Sequence, residues 1–440
     1  MVTLKSTSTI FPSKPTPGGV LQLSENDQKM QWNHARVIYI YKTTSDNNEQ
    51  TTTLETLKDS LSRALVPYYP LAGRLRWIHS GRLELHCNAK GSQISEAYSE
   101  AKLDELGFAP TKAVEDLVPK VDYGSPIEDW PLMLVQVTSM DQLARGDELE
   151  ENEMPFHDRT ILRSSEPLLP PRFEHIEFTK PPLLLGHTDA KEEQMKETCA
   201  TILKVTKEQV EGLRKKANDI PHQDMEMVVT RPYSRYEAVA RHLWRCICKA
   251  RASDNTQPTR LSLAVDFRSR LKPSLPPGYF GNVVLPTVTS KCVHGDLLAK
   301  PLSYAARKIR EAIERITDEY IRSALDYITS QEDVSALRSN FHIRAYTKTP
   351  NFLGNPNVYI GSWINLPVYG MELDYGWGKP IYVGPGLLND DGKSFIMSSP
   401  TANGSLLIAL RLQTEYMDSF KKLFYEDVHC HQAKLTNLET

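Results

Sequence analysis

Residues 374–380 read DYGWGKP, the most distinctive short stretch of this chain. Two glycines around a tryptophan, with a proline shortly after, are typical of a tight turn. Two other unusual stretches precede it, YYPLAGRL at 68–75 and DFRSR at 266–270, and the second of these leads into GYFGN at 278–282. Each stretch alone is compatible with an ordinary turn. All of them in this order, spread over almost the whole chain, form a specific signature.

Length and composition set the broad class. The chain has 440 residues, of which 40% are hydrophobic and 24% are charged, a composition typical of folded globular proteins. That length predicts two domains of roughly 200 residues each. The formal net charge of -3 leaves no positive excess for nucleic acid. Because the N-terminus is polar and no run reaches the roughly 18 apolar residues that span a bilayer, we expect a cytoplasmic protein without nucleic-acid or membrane partners.

Hydrophobic periodicity predicts a mixture of helices and strands, without the regular alternation of a barrel or a Rossmann sheet. Capping-box patterns mark two of the helix starts. The predicted helices lie at 54–65, ended by Pro67, after Thr206, after Ser234, and as one long helix over 305–328. The predicted strands lie at 132–138, 261–265 and 406–412. The acidic, then proline-rich stretch 147–182 has linker chemistry.

The cysteines do not indicate a disulfide framework or a metal site. Six of them are spread over a long chain without a secretory signal, so free thiols are expected. Cys246 and Cys248 lie in a predicted helix, where their side chains point in different directions. The cluster His429-Cys430-His431 near the C-terminus consists of adjacent residues, which rarely bind one ion. We therefore predict no metal.

The distinctive stretches together resemble the plant BAHD family of acyl-CoA-dependent acyltransferases. Residues 374–378 are similar to that family's Asp-Phe-Gly-Trp-Gly motif, with tyrosine in place of phenylalanine, and 68–75 and 266–282 resemble two further blocks of the family. The sequence of residues 355–370 is most similar to that of the spermidine hydroxycinnamoyl transferase branch. The resemblance covers almost the whole chain.

This resemblance implies a mixed α/β fold like that of chloramphenicol acetyltransferase, with two lobes and a channel between them. Residues 1–190 are expected to form the N-terminal lobe, which 373–395 joins. Residues 191–197 are the expected crossover linker. Residues 198–372 and 396–440 are expected to form the C-terminal lobe.

The resemblance also implies a reaction. In this family a histidine of a His-x-x-x-Asp-Gly motif removes the proton of the acceptor while its oxygen or nitrogen attacks a thioester carbonyl, and coenzyme A leaves as a thiol. The expected co-substrate is an acyl-CoA, the expected acceptor is a small amine or alcohol, and no bound cofactor is expected in a monomeric enzyme. The branch implies hydroxycinnamoyl transfer to spermidine, which forms phenolamides.

The sequence departs from the family at this motif. None of its twelve histidines is followed four residues later by an aspartate. His222, with Glu226 four residues on, comes nearest, but it lies in a polar stretch far from the expected place. In the family, the motif follows the strand that corresponds to the predicted strand 132–138. Here that strand runs directly into residues 139–146. The last residues of this segment resemble the end of the helix that usually follows the motif. We expect one missing block after residue 138 and impaired catalysis.

The remaining site residues follow from the resemblance. Asp374 is expected to shape the channel by pairing with Arg268 or Arg270, in a bidentate contact that joins two segments. Trp377 offers an indole N–H that could donate to the developing oxyanion, although packing alone also explains it. The expected substrate-binding residues are Lys348, Ser362 and Trp363.

Two alternatives stay open. The first is a shikimate or quinate O-hydroxycinnamoyltransferase, whose acceptor carboxylate is clamped by an arginine. Lys348 stands at that position here and lacks the bidentate fork, and Gly361 stands where those enzymes usually have threonine. The second is a non-catalytic variant, a decoy that binds acyl-CoA without turnover.

Overall fold

The computed structural model describes residues 2–30, 33–42, 54–101, 107–139, 154–219, 231–335, 337–338, 354–370, 373–375 and 377–429. Its strands are β1 (Val2–Ile10), β2 (Gly19–Leu21), β3 (Val37–Ile40), β4 (Arg74–Trp77), β5 (Leu83–Cys87), β6 (Ser92–Ser99), β7 (Leu134–Ser139), β8 (Thr198–Val205), β9 (Pro258–Thr259), β10 (Leu261–Asp266), β11 (Val284–Val288), β12 (Cys292–Val293), β13 (Val358–Trp363), β14 (Tyr382–Pro385), β15 (Lys393–Ser398) and β16 (Leu406–Gln413). Its α-helices are α1 (Glu25–Gln28), α2 (Leu54–Ala64), α3 (Lys112–Glu115), α4 (Lys191–Met195), α5 (Lys207–Asn218), α6 (Arg235–Arg251), α7 (His294–Ala299), α8 (Leu302–Glu314), α9 (Asp318–Thr329) and α10 (Thr414–His429).

A six-stranded mixed sheet organises the second half of the chain, in the order β11-β10-β13-β15-β16-β8. Strands β10, β13 and β15 run parallel, while the flanking pairs are antiparallel. The predicted strands at 261–265 and 406–412 are confirmed as β10 and β16. Because side chains alternate along a strand, Val358 and Ile360 face one side of the sheet and Tyr359, Gly361 and Trp363 face the other.

Helix α6 packs at the centre of the larger core, on the Val358 side of the sheet. Its start is the predicted one: Ser234 Oγ accepts a hydrogen bond from the Glu237 amide at 3.2 Å, and the Glu237 carboxylate accepts one from the Ser234 amide at 2.7 Å. Its own residues Trp244 and Ile247 are fully buried. The same capping box begins α5 at Thr206, so both predicted helix starts are confirmed.

The first half of the chain forms smaller sheets, ordered β1-β6-β7 and β2-β5-β4, and a pair β14-β3. In the pair, Tyr382–Pro385 runs antiparallel to Val37–Ile40, so the chain returns to a first-half strand directly after the 374–380 loop. Strand β7 pairs in parallel with β6 and, within the described residues, is the outer strand of its sheet. The side chains from Leu134 to Thr138 are half-buried.

The single long helix predicted over 305–328 is wrong, because the structure has two helices, α8 and α9, in its place. Thr317 explains the break. Its hydroxyl accepts a hydrogen bond from the Tyr320 amide at 3.2 Å, and it is the N-cap of α9. A side-chain oxygen that satisfies a free amide in the first turn starts a new helix.

The stretch 147–182, which the sequence predicts to be a linker, is packed against the rest of the protein over its described residues, 154–182. His175 Nδ1 lies 2.9 Å from Glu177 Oε1, and His175 Nε2 lies 3.0 Å from Ser323 Oγ. The Tyr320 hydroxyl donates to Glu177 Oε2 at 2.6 Å. All four side chains are buried, so this segment is fixed to α9 by satisfied polar contacts.

Candidate functional site

The loop that carries the DYGWG stretch closes on itself. Asp374 Oδ1 accepts a hydrogen bond from the Gly378 amide at 2.8 Å. Gly378 has a φ of 77°, a left-handed conformation that glycine adopts without steric cost. The carboxylate and the glycine thus form the turn that brings the chain from residue 374 towards β14. This contact is what a shape-holding role of Asp374 requires, and that role stays a prediction.

An aromatic cluster holds the tryptophan of this loop. Tyr41, just after β3, has its ring centroid 5.0 Å from that of Trp377 and 6.1 Å from that of Tyr375, in both cases edge-on. The Tyr41 hydroxyl donates to the Leu373 carbonyl at 2.9 Å. Burial, and then the nearby phenol of Tyr375, raise the pKa of Tyr41, so its hydroxyl stays protonated and acts as a donor. Tyr41, Tyr375 and Trp377 are called the Tyr41 cluster below.

The indole N–H of Trp377 is unsatisfied within the described part of the chain. Trp377 Nε1 is buried and has no hydrogen-bond partner among the described residues. A buried N–H left without a partner costs about 1–3 kcal/mol, so such a group is expected to be satisfied by water or a bound molecule. Among the described residues this N–H is unsatisfied, and the donor role of Trp377 stays a prediction.

The two predicted arginines contact residues of the second half of the chain. Arg268 donates to the carboxylate of Asp266 at 2.6 Å. Arg270 donates to the carbonyls of Ile313 and Ile316 at 2.8 and 2.9 Å. Burial lowers the pKa of Arg270, but arginine side chains stay protonated in proteins, so it binds these carbonyls as a cation. The predicted pairing of Asp374 with one of these arginines stays a prediction.

Ser362 and Trp363 end strand β13. Ser362 is exposed and Trp363 is half-buried. The Trp363 ring lies 4.9 Å from that of Phe395 on β15, which in turn lies 5.9 Å from that of Tyr359. Tyr359, Phe395 and Trp363 form a continuous surface, called the aromatic strip below. Sequence analysis missed Phe395, although Gly361 inside a strand is a signal of close approach by a neighbour.

A second buried cluster joins strands of both halves of the chain on this side of the sheet. Its buried members are Ile38, Val114, Val118, Tyr382, Leu388, Met397, Leu407 and Ala409. Trp363 and Phe395 of the strip pack against it, as does Ile40, the residue before Tyr41. The aromatic strip and Ile40 therefore contact the same apolar cluster, which contains residues from both halves of the chain.

Two described histidines are candidate replacements for the base of the His-x-x-x-Asp motif, which this sequence lacks. His34 has both ring nitrogens engaged, Nδ1 at 2.9 Å from the Tyr123 hydroxyl and Nε2 at 2.7 Å from the Pro131 carbonyl. His157 Nε2 lies 2.8 Å from the Pro67 carbonyl. Burial lowers the pKa of both imidazoles. Both imidazoles are neutral. His34 has no ring nitrogen left over, whereas His157 Nδ1 is buried without a hydrogen-bond partner among the described residues. Because the Pro67 carbonyl holds the other nitrogen of His157, we assign the base to neither.

Several predicted residues cannot be placed. Lys348, His222, Cys430 and His431 lie outside the described residues, as does the side chain of His429. Within the part of the chain that the structure describes, no group of three or more His, Cys, Asp or Glu side chains could hold a metal ion. Over the same residues, no helix combines the length and the apolar character needed to cross a membrane.

One protein-family model, described as the Transferase family, matches this chain in two segments, residues 1–142 and 139–427. Together the segments cover nearly the whole chain. They meet at 139–142, directly after β7. This is also where the sequence predicts that a block is missing.

Two curated relatives match along their whole lengths. A hydroxycinnamoyl-CoA:piscidic acid hydroxycinnamoyltransferase from Actaea racemosa is 43% identical over 461 aligned residues, covering 97% of this chain and 100% of that protein. A shikimate O-hydroxycinnamoyltransferase from Nicotiana tabacum is 37% identical over 456 residues, covering 97% and 99%. Both alignments are longer than the 440 residues of this chain, so each contains positions that have no residue here.

The fold also matches a solved structure. The crystal structure of an F. graminearum protein in complex with coenzyme A and T-2 mycotoxin superposes with a TM-score of 0.72, over 92% of this chain and 97% of that one, at 16% identity. At 16% identity, the match shows a shared fold and no more. It confirms the mixed α/β architecture that the sequence predicts.

Proposed function

This chain belongs to the Transferase family, the acyl-CoA-dependent BAHD acyltransferases, and from that membership we propose that it transfers a hydroxycinnamoyl group from coenzyme A to a small acceptor. The observation that carries the proposal is the indole N–H of Trp377, which is buried and has no hydrogen-bond partner among the residues that the structure describes. It lies in the family's signature loop and is held by Tyr41. Acyl-CoA is the co-substrate, and the proposed reaction uses no bound cofactor.

The proposed acceptor is a hydroxy acid. The relatives at 43% and 37% identity are named for piscidic acid and shikimate, and both compounds are hydroxylated carboxylic acids. This favours the O-acylating alternative over the spermidine acceptor predicted from the sequence. Lys348 is the proposed partner of the acceptor carboxylate, since a lysine supplies positive charge there even without the fork of an arginine.

The proposed mechanism places the Trp377 indole at the oxyanion. The acceptor oxygen attacks the thioester carbonyl, the carbon–sulfur bond then breaks, and coenzyme A leaves as a thiol that has gained the acceptor's proton. A preorganised N–H aimed at the developing negative charge stabilises the transition state, and loss of one such donor typically costs about 10²–10³ in rate. The acceptor's proton requires a base, which the family supplies from its His-x-x-x-Asp motif.

We further propose that the block bearing this base is missing after residue 138, which leaves catalysis impaired. The two-segment family match that meets at 139–142 supports this. So do the greater lengths of the alignments with both relatives. The outer position of β7 among the described strands is also consistent with the loss of a neighbouring strand.

Spermidine is the second candidate acceptor, and the absence of the His-x-x-x-Asp motif favours it for this chain. A neutral amine already carries the lone pair that attacks, whereas an alcohol is a weak nucleophile until a base removes its proton. Without the base, transfer to an amine is therefore expected to suffer less than transfer to a hydroxyl. Gly361, where shikimate-acylating enzymes usually have threonine, is also consistent with a different acceptor.

The proposal is tested by binding and turnover in the same preparations. Isothermal titration measures the affinity of this chain for p-coumaroyl-CoA, and product formation is followed with piscidic acid, shikimate and spermidine. A matched version carries the family's block inserted after residue 138. We expect p-coumaroyl-CoA binding by both proteins and faster transfer to the hydroxy acids by the restored one. Binding without turnover in both would favour the decoy variant, and no binding by either would contradict the function.

A further inference from the structure

We propose that Lys29 makes the contact between helix α1 and strand β11 sensitive to pH, because its amine is buried there without a carboxylate partner among the described residues. Protonation of the amine weakens this contact and deprotonation strengthens it. The α1–β11 contact holds the first half of the chain on the second, whatever acyl group or acceptor the protein uses.

Helix α1 and its C-cap residue contact the segment that enters β11. Asn26 Nδ2 donates to the Asn282 carbonyl at 2.7 Å, and the Asn282 amide donates to Asp27 Oδ1 at 3.1 Å. Lys29, the C-cap residue of α1, donates from Nζ to the Val284 carbonyl at 3.2 Å. These bonds join residues 255 or 256 positions apart along the chain, so they hold two distant parts of the sequence together.

The Lys29 ammonium group has few partners at this contact. Lys29 is 2% exposed. Among the described residues its Nζ contacts the Val284 carbonyl and, at 4.0 Å, the sulfur of Met30. An ammonium group has three N–H donors and is strongly hydrated in water. Because a buried charge is costly unless it is paired and hydrogen-bonded, the neutral amine fits this contact better than the cation.

The two carboxylates whose charge acts on the amine are engaged with other side chains. Asp27 Oδ2 accepts a hydrogen bond from Arg159 at 3.0 Å. Glu177 Oε2 accepts one from the Tyr320 hydroxyl at 2.6 Å, and Glu177 Oε1 lies 2.9 Å from His175 Nδ1. Their ion-pair contacts are with Arg159 and His175, so they act on Lys29 only at longer range.

The other charged groups around α1 also have partners of their own. Glu25 accepts from Arg82 at 2.7 Å, and Arg338 donates to a backbone carbonyl of α1 at 2.7 Å. On α9, which packs against α1, Asp326 accepts from Ser165 at 2.7 and 3.0 Å. Strand β11, VLPTV, has no ionisable side chain. None of these groups therefore supplies Lys29 with a counter-charge.

The titration of Lys29 gives the direction of the effect. Burial lowers the pKa of Lys29 to about 7, and the charges of Asp27 and Glu177 raise it by less. An unfolded lysine has a pKa of about 10.4. Between these values the folded protein carries the neutral amine and the unfolded chain carries the cation, so unfolding takes up a proton and stability rises with pH. Below about pH 7 both are protonated, and the cost of the buried charge is fully present.

The test follows opening of the α1–β11 contact by hydrogen exchange of the Asn282 amide, which Asp27 holds, from about pH 6 to about pH 9.5. The parent chain is compared with Lys29→Met, whose side chain has a similar length and no charge. The readout is the opening constant of the parent divided by that of the variant. We expect a constant ratio above one below about pH 7 and a fall of about tenfold for each pH unit between about pH 7.5 and 9.5.

A second variant and a control accompany Lys29→Met. Lys29→Gln carries no charge and keeps an N–H donor for the Val284 carbonyl, so the parent should show the same pH dependence relative to it, and either variant decides the test. Lys14→Met is the control, because Lys14 is exposed and its replacement should leave the opening constant unchanged at every pH. If neither Lys29 variant folds, the contact requires the charged amine and the proposal is overturned.

Two further results would overturn the proposal. A ratio that does not change with pH would show that Lys29 keeps one charge state throughout the range. Slower opening of the parent than of both variants below pH 7 would show that the buried cation stabilises the contact.

Discussion

The Tyr41 hydroxyl donates a hydrogen bond to the carbonyl of Leu373 at 2.9 Å. This bond joins the residue after β3 to the start of the loop that carries Trp377. The same tyrosine packs edge-on against the indole, with 5.0 Å between the ring centroids. One side chain of the first half of the chain thus positions both the backbone and the indole of the signature loop.

Tyr41→Phe removes this hydrogen bond and keeps the ring. A hydrogen bond of this kind contributes about 0.5–1.5 kcal/mol, so the free energy of unfolding should fall by about that amount and amide exchange at Leu373 and Gly378 should accelerate. The control is Tyr39→Phe on the same strand, whose side chain is 45% exposed and should change little. Equal exchange in both variants would show that Tyr41 does not hold the loop.

Trp377→Phe separates the indole N–H from the packing of its ring. In the version with the block restored, we expect kcat to fall about 10²–10³-fold, while the affinity for p-coumaroyl-CoA changes little. Trp363→Phe is the matched control, since Trp363 belongs to the aromatic strip, and its replacement should weaken affinity more than kcat. Unchanged kcat in Trp377→Phe would limit the indole to packing.

Asp374 can be tested by two replacements. Asp374→Ala removes the acceptor of the Gly378 amide and should destabilise the chain by about 1.5–3 kcal/mol, as expected for a hydrogen bond to a charged group. Asp374→Asn keeps a carbonyl oxygen and should lose less. Thermal unfolding of both variants measures these losses in stability. Full stability of both variants, together with lost transfer activity in the restored version, would place Asp374 in the chemistry.

Strand β7 should be less protected from hydrogen exchange than the core helix α6. As an outer strand within the described residues, it has backbone N–H and C=O groups along one edge that lack a neighbouring described strand. Hydrogen exchange should be faster in Leu134–Ser139 than in Arg235–Arg251, and limited proteolysis should cut first in the segment after β7 and then degrade the N-terminal fragment. Equal protection of both elements would show that the first lobe has repaired its sheet.

Local signals in the sequence predicted much of the fold. The capping boxes at Thr206 and Ser234 are short-range features whose atoms meet within one helical turn, so their outcome did not depend on the rest of the chain. The alternation at 261–265 likewise follows from a half-buried sheet position. The prediction failed over 305–328 because two helices that pack on one core share one apolar periodicity, and a threonine in its middle started the second of them.

The candidate site was harder to predict from the sequence than the fold. The DYGWG stretch identified its loop, but nothing in the sequence indicated that Tyr41 would pack on Trp377 across more than 300 positions of the chain. That contact depends on the pairing of β3 with β14, a long-range event. Phe395 was missed for the same reason, since its position on Gly361 arises only when β13 and β15 pair in register.

If this chain retains acyl-CoA recognition and lacks its general base, restoring the base should raise the rate of transfer. Hydroxycinnamoyl transfer to piscidic acid and shikimate is measured for this chain and for the version with the block restored after residue 138, at saturating p-coumaroyl-CoA. Because general bases contribute roughly 10²–10⁴ in rate, we predict at least about a hundredfold higher kcat in the restored version. Comparable rates in the two proteins would contradict the claim.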